Sequence, residues 1–272
     1  MKTTRTVIER TRGDQHGPIR RIISPAGLGD RLKPFVFLDF IHTQLTDGWG
    51  FGFHPHSGIA TLTYHLTANV EYEDTAGMTG LIMAGGLEWM RAGGGVWHKA
   101  TIRTSGQTTG FQLWVALPPG LEDGPSEGQY VPPDLVRSSG NTKVLLGHYE
   151  AASSPIRHPA PLNYFDITLS AGETWSFEPP DDHAVAWVFV YEGRVEIGGV
   201  ALLDELAVLD QSTAGVEIKA LTTARVIFGS APKHDYPLVL GSSSIHTNEA
   251  SLKSASVKIR QIRAELEAAG RL

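Results

Sequence analysis

The sequence predicts an all-β chain in two domains, finished by a single helix. Three observations carry this. Short runs rich in β-branched and aromatic residues alternate in polarity between turn signals, and the chain holds 30 glycines and 16 prolines. Its 272 residues exceed one ordinary domain. After Asn248 the apolar pattern changes from period two to recurrences at three and four.

Residues 3–10 and 18–23 read as lead-in strands, with Gly13-Asp14 and Gly17 between them, and residues 34–41 as a dense apolar strand. Asp39 within it is expected to be a structural, hydrogen-bonding carboxylate. Over residues 61–67 Leu62, Tyr64 and Leu66 take one face, while Thr61, Thr63, His65 and Thr67 take the other. His65 therefore reads as a half-exposed strand histidine. Ala84-Gly85-Gly86 and Gly93-Gly94-Gly95 are turns bracketing Leu87-Glu88-Trp89-Met90. The triple glycine is no phosphate loop, since it lacks the Lys-Ser/Thr ending and opens no helix. Pro118-Pro119-Gly120, Asp123-Gly124-Pro125 and Pro132-Pro133-Asp134 make residues 119–150 a connector and put the domain boundary near residue 135.

Strands recur over residues 143–146, 164–169, 184–191, 194–197, 206–209, 216–220 and 224–228, with Glu192-Gly193 as a hairpin signal. The histidines here, His148, His158, His183 and His234, are scattered and read as surface or turn residues. Leu252, Ala255, Ile259, Ile262 and Leu266 form one stripe of an amphipathic helix, with Asn248 as N-cap and Gly270 as its stop. Lys253, Lys258, Arg260 and Arg263 are interspersed with Glu265 and Glu267, which reads as a solvated face. The expected domains are residues 1–134, 135–245 and the helical tail 246–272.

Composition excludes several function classes. With 41% hydrophobic residues the chain can bury real cores. A net charge of -6 without a basic block argues against nucleic acid as a partner. Zero cysteines exclude disulfides, thiolate ligands and thiol nucleophiles, and fit a cytoplasmic protein. Residues 1–10 carry charges where a signal peptide needs an apolar core, and the longest apolar run is too short to cross a bilayer. A soluble, cytoplasmic protein without a membrane partner is the expectation.

The chemistry concentrates between Gly50 and Ala100. Phe53-His54-Pro55-His56-Ser57-Gly58 opens this stretch and Gly93-Gly94-Gly95-Val96-Trp97-His98 closes it. Residues i and i+2 of a strand share a side, so His54 and His56 can aim into one space, with Pro55 keeping the segment extended. A third imidazole from a distant strand, His98, completes a facial set suited to Fe, Ni, Cu, Zn or Mn. The same H-x-H is also compatible with two ordinary strand histidines, with His98 unrelated.

His54-Pro55-His56, Tyr64, Glu73-Asp74, Gly77, Thr79-Gly80, Leu87, Trp89-Met90, Ala92-Gly93, Gly95 and His98 resemble the signature of the pirin family. Gln112-Leu113-Trp114-Val115, Leu117-Pro118 and Thr247-Asn248-Glu249 are similar to later segments of that family. The acidic tract of pirins is matched only in part by Asp39-Phe40. The resemblance implies a bicupin: two antiparallel, jelly-roll-like β-barrels, the second a degenerate, metal-free copy. It implies one divalent metal on His54, His56 and His98, iron first, with Zn, Ni, Cu and Mn as alternatives. It also implies oxidative opening of flavonols such as quercetin, or transcriptional coregulation through a protein partner.

One departure stands out. In metal-binding pirins a glutamate follows the late histidine by two residues, as fourth ligand and as the base for flavonol cleavage; here that position is Ala100. Lys99 cannot replace it, because adjacent strand residues face opposite sides and an ammonium does not ligate a cation. Glu73 and Glu88 are the nearest carboxylates in sequence and read as structural. Three functions follow: a metal-dependent dioxygenase acting on a small aromatic or enolic substrate, a non-enzymatic regulator or interaction protein, and a metal-free cupin holding a small ligand. Catalytic residues beyond the metal ligands are not assigned by the sequence.

Overall fold

The structure is a computed structural model that describes residues 4–158 and 160–272. Two compact units are present: residues 15–134 with 234–272, here the first unit, and residues 135–233 with the N-terminal residues through Asp14, here the second. The chain therefore does not partition in simple succession. The N-terminal segment belongs with residues 135–233, and residues 234–245 belong with the histidine-bearing unit.

In chain order the strands begin with β1 (Val7–Thr11), β2 (Asp14–His16), β3 (Ile19–Ile23), β4 (Phe35–Leu45), β5 (Gly50–His56), β6 (Ile59–His65) and β7 (Val70–Asp74). Next come β8 (Thr79–Ile82), β9 (Leu87–Arg91), β10 (Val96–Ile102), β11 (Gly106–Ala116), β12 (Glu127–Val131), β13 (Ser138–Ser139) and β14 (Thr142–Leu146). Two short strands, β15 (His148–Tyr149) and β16 (Ala152–Ser153), precede β17 (Asn163–Leu169), β18 (Thr174–Phe177), β19 (Val185–Glu192) and β20 (Arg194–Ile197). The last are β21 (Val200–Leu203), β22 (Leu206–Leu209), β23 (Val216–Ala220), β24 (Ala224–Ala231), β25 (Val239–Gly241) and β26 (Ser244–His246). Among the described residues two α-helices complete the set, α1 (Leu28–Leu32) and α2 (Glu249–Ala268).

The class is all-β, as the alternation predicts, but the sheets do not close into barrels. Each unit is built from a seven-stranded and a four-stranded antiparallel sheet. The first unit has the orders β12-β9-β6-β11-β4-β3-β2 and β5-β10-β7-β8. The second has β1-β22-β19-β24-β17-β14-β13 and β18-β23-β20-β21. Strands β4 to β11 of the first unit occupy the same topological places as β17 to β24 of the second. The copy suggested by sequence is thus a full repeat of the strand plan.

The apolar run of β4 suits a strand flanked on both sides, by β11 and β3, and its first seven residues are buried. The connector expected over residues 119–150 contributes an edge strand, β12, which pairs with β9. The second unit's core joins both its sheets, with Phe165, Val188, Val226 and Phe228 meeting Trp175, Ile197 and Ile218. Helix α2 starts where the sequence places it, with the Asn248 side chain accepting from Ser251 N–H at 2.9 Å. Its stripe turns inward, burying Ala255 and Leu266, and Trp97 Nε1 donates to Ile259 O at 3.0 Å. No helix among the described residues is long and apolar enough to cross a membrane.

Candidate metal centre

Strand β5 ends in Phe53-His54-Pro55-His56 and pairs antiparallel with β10, which sets His54 opposite His98 and His56 opposite Val96. Alternation along β5 keeps His54 and His56 on one face, and cross-strand pairing brings His98 beside them. Ring centroids lie 4.3 Å apart for His54 and His98, 4.9 Å for His56 and His98, and 5.1 Å for His54 and His56. One ligand nitrogen from each ring can be chosen so that all lie within 4.8 Å of one another. A metal at about 2.1 Å from each nitrogen needs donors no more than about 4.2 Å apart, so the rings would close slightly on a bound ion.

Hydrogen bonds fix two of the tautomers. His54 Nδ1 lies 2.8 Å from Gly52 O and His56 Nδ1 lies 2.9 Å from Ser243 O. A carbonyl only accepts, so each Nδ1 carries the proton and each Nε2 presents a lone pair. His98 Nε2 is buried without a partner. Burial holds the His54 imidazole below its ordinary range, against the opposing pull of the Gly52 carbonyl. Burial, then the neighbouring His54, pushes His56 down to about 4. Burial, then His56 and His54, pushes His98 well down. All three are neutral donors at ordinary pH, the form a metal takes. The donor set and its geometry fit a divalent transition ion.

The histidines face a cavity of about 510 Å³. Phe37, Trp49, Phe51, Phe111 and Trp114 give it aromatic walls. Phe37 and Trp114 stack at 4.0 Å, and Trp114 meets the His56 ring edge-on at 4.8 Å. Ala100 lines this cavity with His98, on the side expected of residue i+2. The pairing of β5 with β10 shifts between His98 and Ala100, a bulge that gives β5 one extra residue there. Ala100 thus presents a methyl group to the cavity beside His98.

The nearby carboxylates are engaged elsewhere. Asp39 lines the cavity but is held by Arg21 at 2.9 and 3.0 Å, in keeping with a structural role. Asp74, opposite His98 on β7, turns to its own loop and accepts from Ala76 and Met78 N–H at 2.8 and 2.9 Å. Glu73 lies outside, bound by Lys99 at 2.6 Å and by Arg271. Lys99 sits over the Phe53 ring, on the opposite side from the histidines. Glu88 is buried beside Thr63.

Three histidine readings are corrected. His65 is buried and lines the cavity, because both faces of β6 are covered. Its ring lies against Gly110, where an added Cβ would come within 2.4 Å of Nδ1. His183 is buried and meets Ser230 Oγ at 3.0 Å, and His234 is buried too.

Sequence reasoning missed the hairpin of β25 and β26, which supplies the Ser243 carbonyl and lines the cavity with Leu240, Ser244 and Ile245. Ser57 Oγ donates to Ser244 Oγ at 2.9 Å and lies 2.9 Å from His246 Nε2. Behind it, buried Glu122 accepts from the N–H and hydroxyl of Thr247, both at 2.6 Å. At Gly58, with φ +72°, an added Cβ would sit 1.8 Å from Ile245 O, so only glycine allows the hairpin this close. The signal available in the sequence was a buried-type segment, Ser244-Ile245-His246-Thr247, just ahead of the helix.

Comparison with known proteins gives the family and the fold. The pirin family model matches residues 18–115. A pirin-like protein of Caulobacter vibrioides is 36% identical over 208 residues, covering 72% of this chain and 74% of that protein. A crystal structure of quercetin 2,3-dioxygenase from Acinetobacter baumannii shares the fold with TM-score 0.85 and 24% identity, over 94% of this chain and 96% of that one. Bacterial pirin YhhW of Escherichia coli, solved with nickel(II), superposes with TM-score 0.66 and 20% identity, over 86% of this chain and all of its own. The chain belongs to the pirin family.

Proposed function

We propose that the protein binds one divalent transition metal through His54, His56 and His98 and acts as a dioxygenase on a small hydroxylated aromatic or enolic substrate. The observation that carries this reading is the convergence of three neutral imidazoles on one aromatic-walled cavity. The size and walls of the cavity suit a planar ring system. Trp49, Phe51 and Trp114 add aromatic wall, while the hairpin and the bulged β5 frame the approach to the histidines. When bound, the metal supplies a positive centre that favours an ionised substrate hydroxyl and the open positions that oxygen chemistry requires. The quercetin dioxygenase among the structural neighbours makes a flavonol the first substrate to try, and the nickel-bound pirin adds nickel to iron as a metal to load.

Ala100 favours a second reading, a ligand-binding cupin that works without metal. Elemental analysis of tag-free protein separates the two, and oxygen uptake with quercetin tests catalysis. Stoichiometric metal with metal-dependent oxygen uptake supports the first reading. Metal at trace level after loading with iron or nickel overturns it.

A further inference from the structure

A row of polar side chains crosses the cavity-facing side of the first unit's seven-stranded sheet. Register places Glu88 opposite Thr63, Thr63 opposite Gln112, Gln112 opposite Asp39 and Asp39 opposite Arg21. Arg21 and Asp39 close on each other. The other three form a chain: Thr63 Oγ1 lies 2.8 Å from Glu88 Oε2 and 3.0 Å from Gln112 Oε1. Thr63 and Gln112 line the cavity, while Glu88 stands behind them. Gln112 Nε2 is buried with no protein partner, which leaves a donor for a ligand oxygen.

A hydroxyl has one proton, so Thr63 cannot donate to both neighbours. Two arrangements satisfy the chain. With Glu88 ionised, Thr63 donates to the carboxylate, and the Gln112 amide turns over to donate an N–H to Thr63 Oγ1. With Glu88 protonated, the carboxyl donates to Thr63, and Thr63 donates to Gln112 Oε1. We propose that Glu88 is the proton acceptor of this cavity, reached by a bound hydroxyl through Thr63. The ligand O–H bond breaks as Thr63 Oγ1 takes that proton. The proton Thr63 already held passes to Glu88 Oε2, and the electron pair stays on the ligand oxygen as an oxyanion. Glu88, anionic before the step, is neutral after it.

The surroundings of Glu88 suit this exchange. Thr63 on β6, Tyr130 on β12, and Tyr72 and Asp74 on β7 are the polar groups about it. Burial first, opposed by the Thr63 hydrogen bond and aided by the charge of Asp74, pushes its carboxyl up to about 7. A group so placed changes protonation state near neutral pH. The assignment rests on the cavity taking a hydroxylated ring, as in the proposed function, but requires neither metal nor oxygen.

The test is the proton balance of binding 4-nitrophenol to chelator-treated, full-length protein. Calorimetry in buffers of different ionisation enthalpy counts protons. At about pH 8 the probe is mostly phenolate and Glu88 mostly ionised, so wild type should take up about one proton per probe bound. Glu88→Gln should bind the probe with almost no uptake. Thr63→Val removes the hydrogen bond that favours ionised Glu88, so more of the carboxyl is already protonated and the uptake should fall, and Thr63→Ser should restore it. Uptake in Glu88→Gln or Thr63→Val equal to wild type overturns the assignment. So does wild type that fails to bind the probe or binds it without taking up a proton. Because no metal is present, loss of the dioxygenase reading leaves this result intact.

Discussion

The two units share one strand plan and differ in what they point inward. In the first unit the four-stranded sheet carries His54 and His56 on β5 and His98 on β10. In the second, β18 and β23 hold the same places and present Trp175, Phe177 and Ile218. Trp175 and Phe177 join Tyr149, Phe165 and Phe228 in one aromatic cluster, with Trp175 Nε1 donating to Thr142 Oγ1 at 2.9 Å. The first interior holds an open cavity; the second holds a buried apolar and aromatic cluster. A fold of this kind does not dictate a metal site. A handful of inward positions decide whether the space between the sheets binds or only packs.

Breaking the histidine side should give the largest effect. His98→Ala, and likewise His54→Ala or His56→Ala, should weaken metal binding by at least the roughly 100-fold that loss of supporting contacts can reach. His183→Ala, in the second unit, should leave metal content unchanged. Stoichiometric metal in His98→Ala, read by elemental analysis, would falsify the site. The reciprocal change acts on stability alone. Trp175→Ala should cost about 3–5 kcal/mol in denaturant unfolding, with metal affinity per folded molecule unaltered.

A smaller effect sharpens the comparison at the cavity wall. Ala100→Glu adds a carboxylate on the histidine face and cancels one unit of charge. The metal dissociation constant should fall by about tenfold. Unchanged affinity with a lowered thermal midpoint would mean a buried, unpaired carboxylate and a side chain that misses the metal.

The last effect concerns acid. Burial pushes His65 down to about 4, below the ordinary value of 6.5. The unfolded chain therefore binds this proton before the folded one does. The stability contribution is full above pH 6.5 and declines as pH falls toward 4. His65→Gln should flatten that decline by up to about 1.4 kcal/mol per pH unit, seen in urea midpoints measured at several pH values. An equal slope in both proteins would show that His65 is already accessible to protons.

The strands and the terminal helix were legible because both rest on local periodicity. Leu252, Ala255, Ile259, Ile262 and Leu266 read as one face and fold as one. The H-x-H pair was legible for the same reason, since alternation is fixed by the backbone. His98 needed the family resemblance, because no local rule pairs β5 with β10. His65 was misread because alternation separates two faces but does not say that both are covered. The N-terminal strand was misassigned because its partner, β22, lies far along the chain. Ser243 was invisible for a related reason: its contact with His56 spans 187 positions, and the group in play is a carbonyl that every residue owns.

That long contact bears on how the protein is made. Chains emerge from the ribosome amino end first, and compact units tend to fold as they appear. The acceptor that fixes the His56 tautomer, at Ser243, is made 187 residues after His56 and well after all three histidines. The cavity wall formed by Leu240, Ser244 and Ile245 arrives at the same moment. Until then the histidines lack both that acceptor and that wall. A fragment ending at residue 134 would hold every ligand, the β5–β10 pairing and the Gly52 acceptor of His54, but not the acceptor that fixes His56.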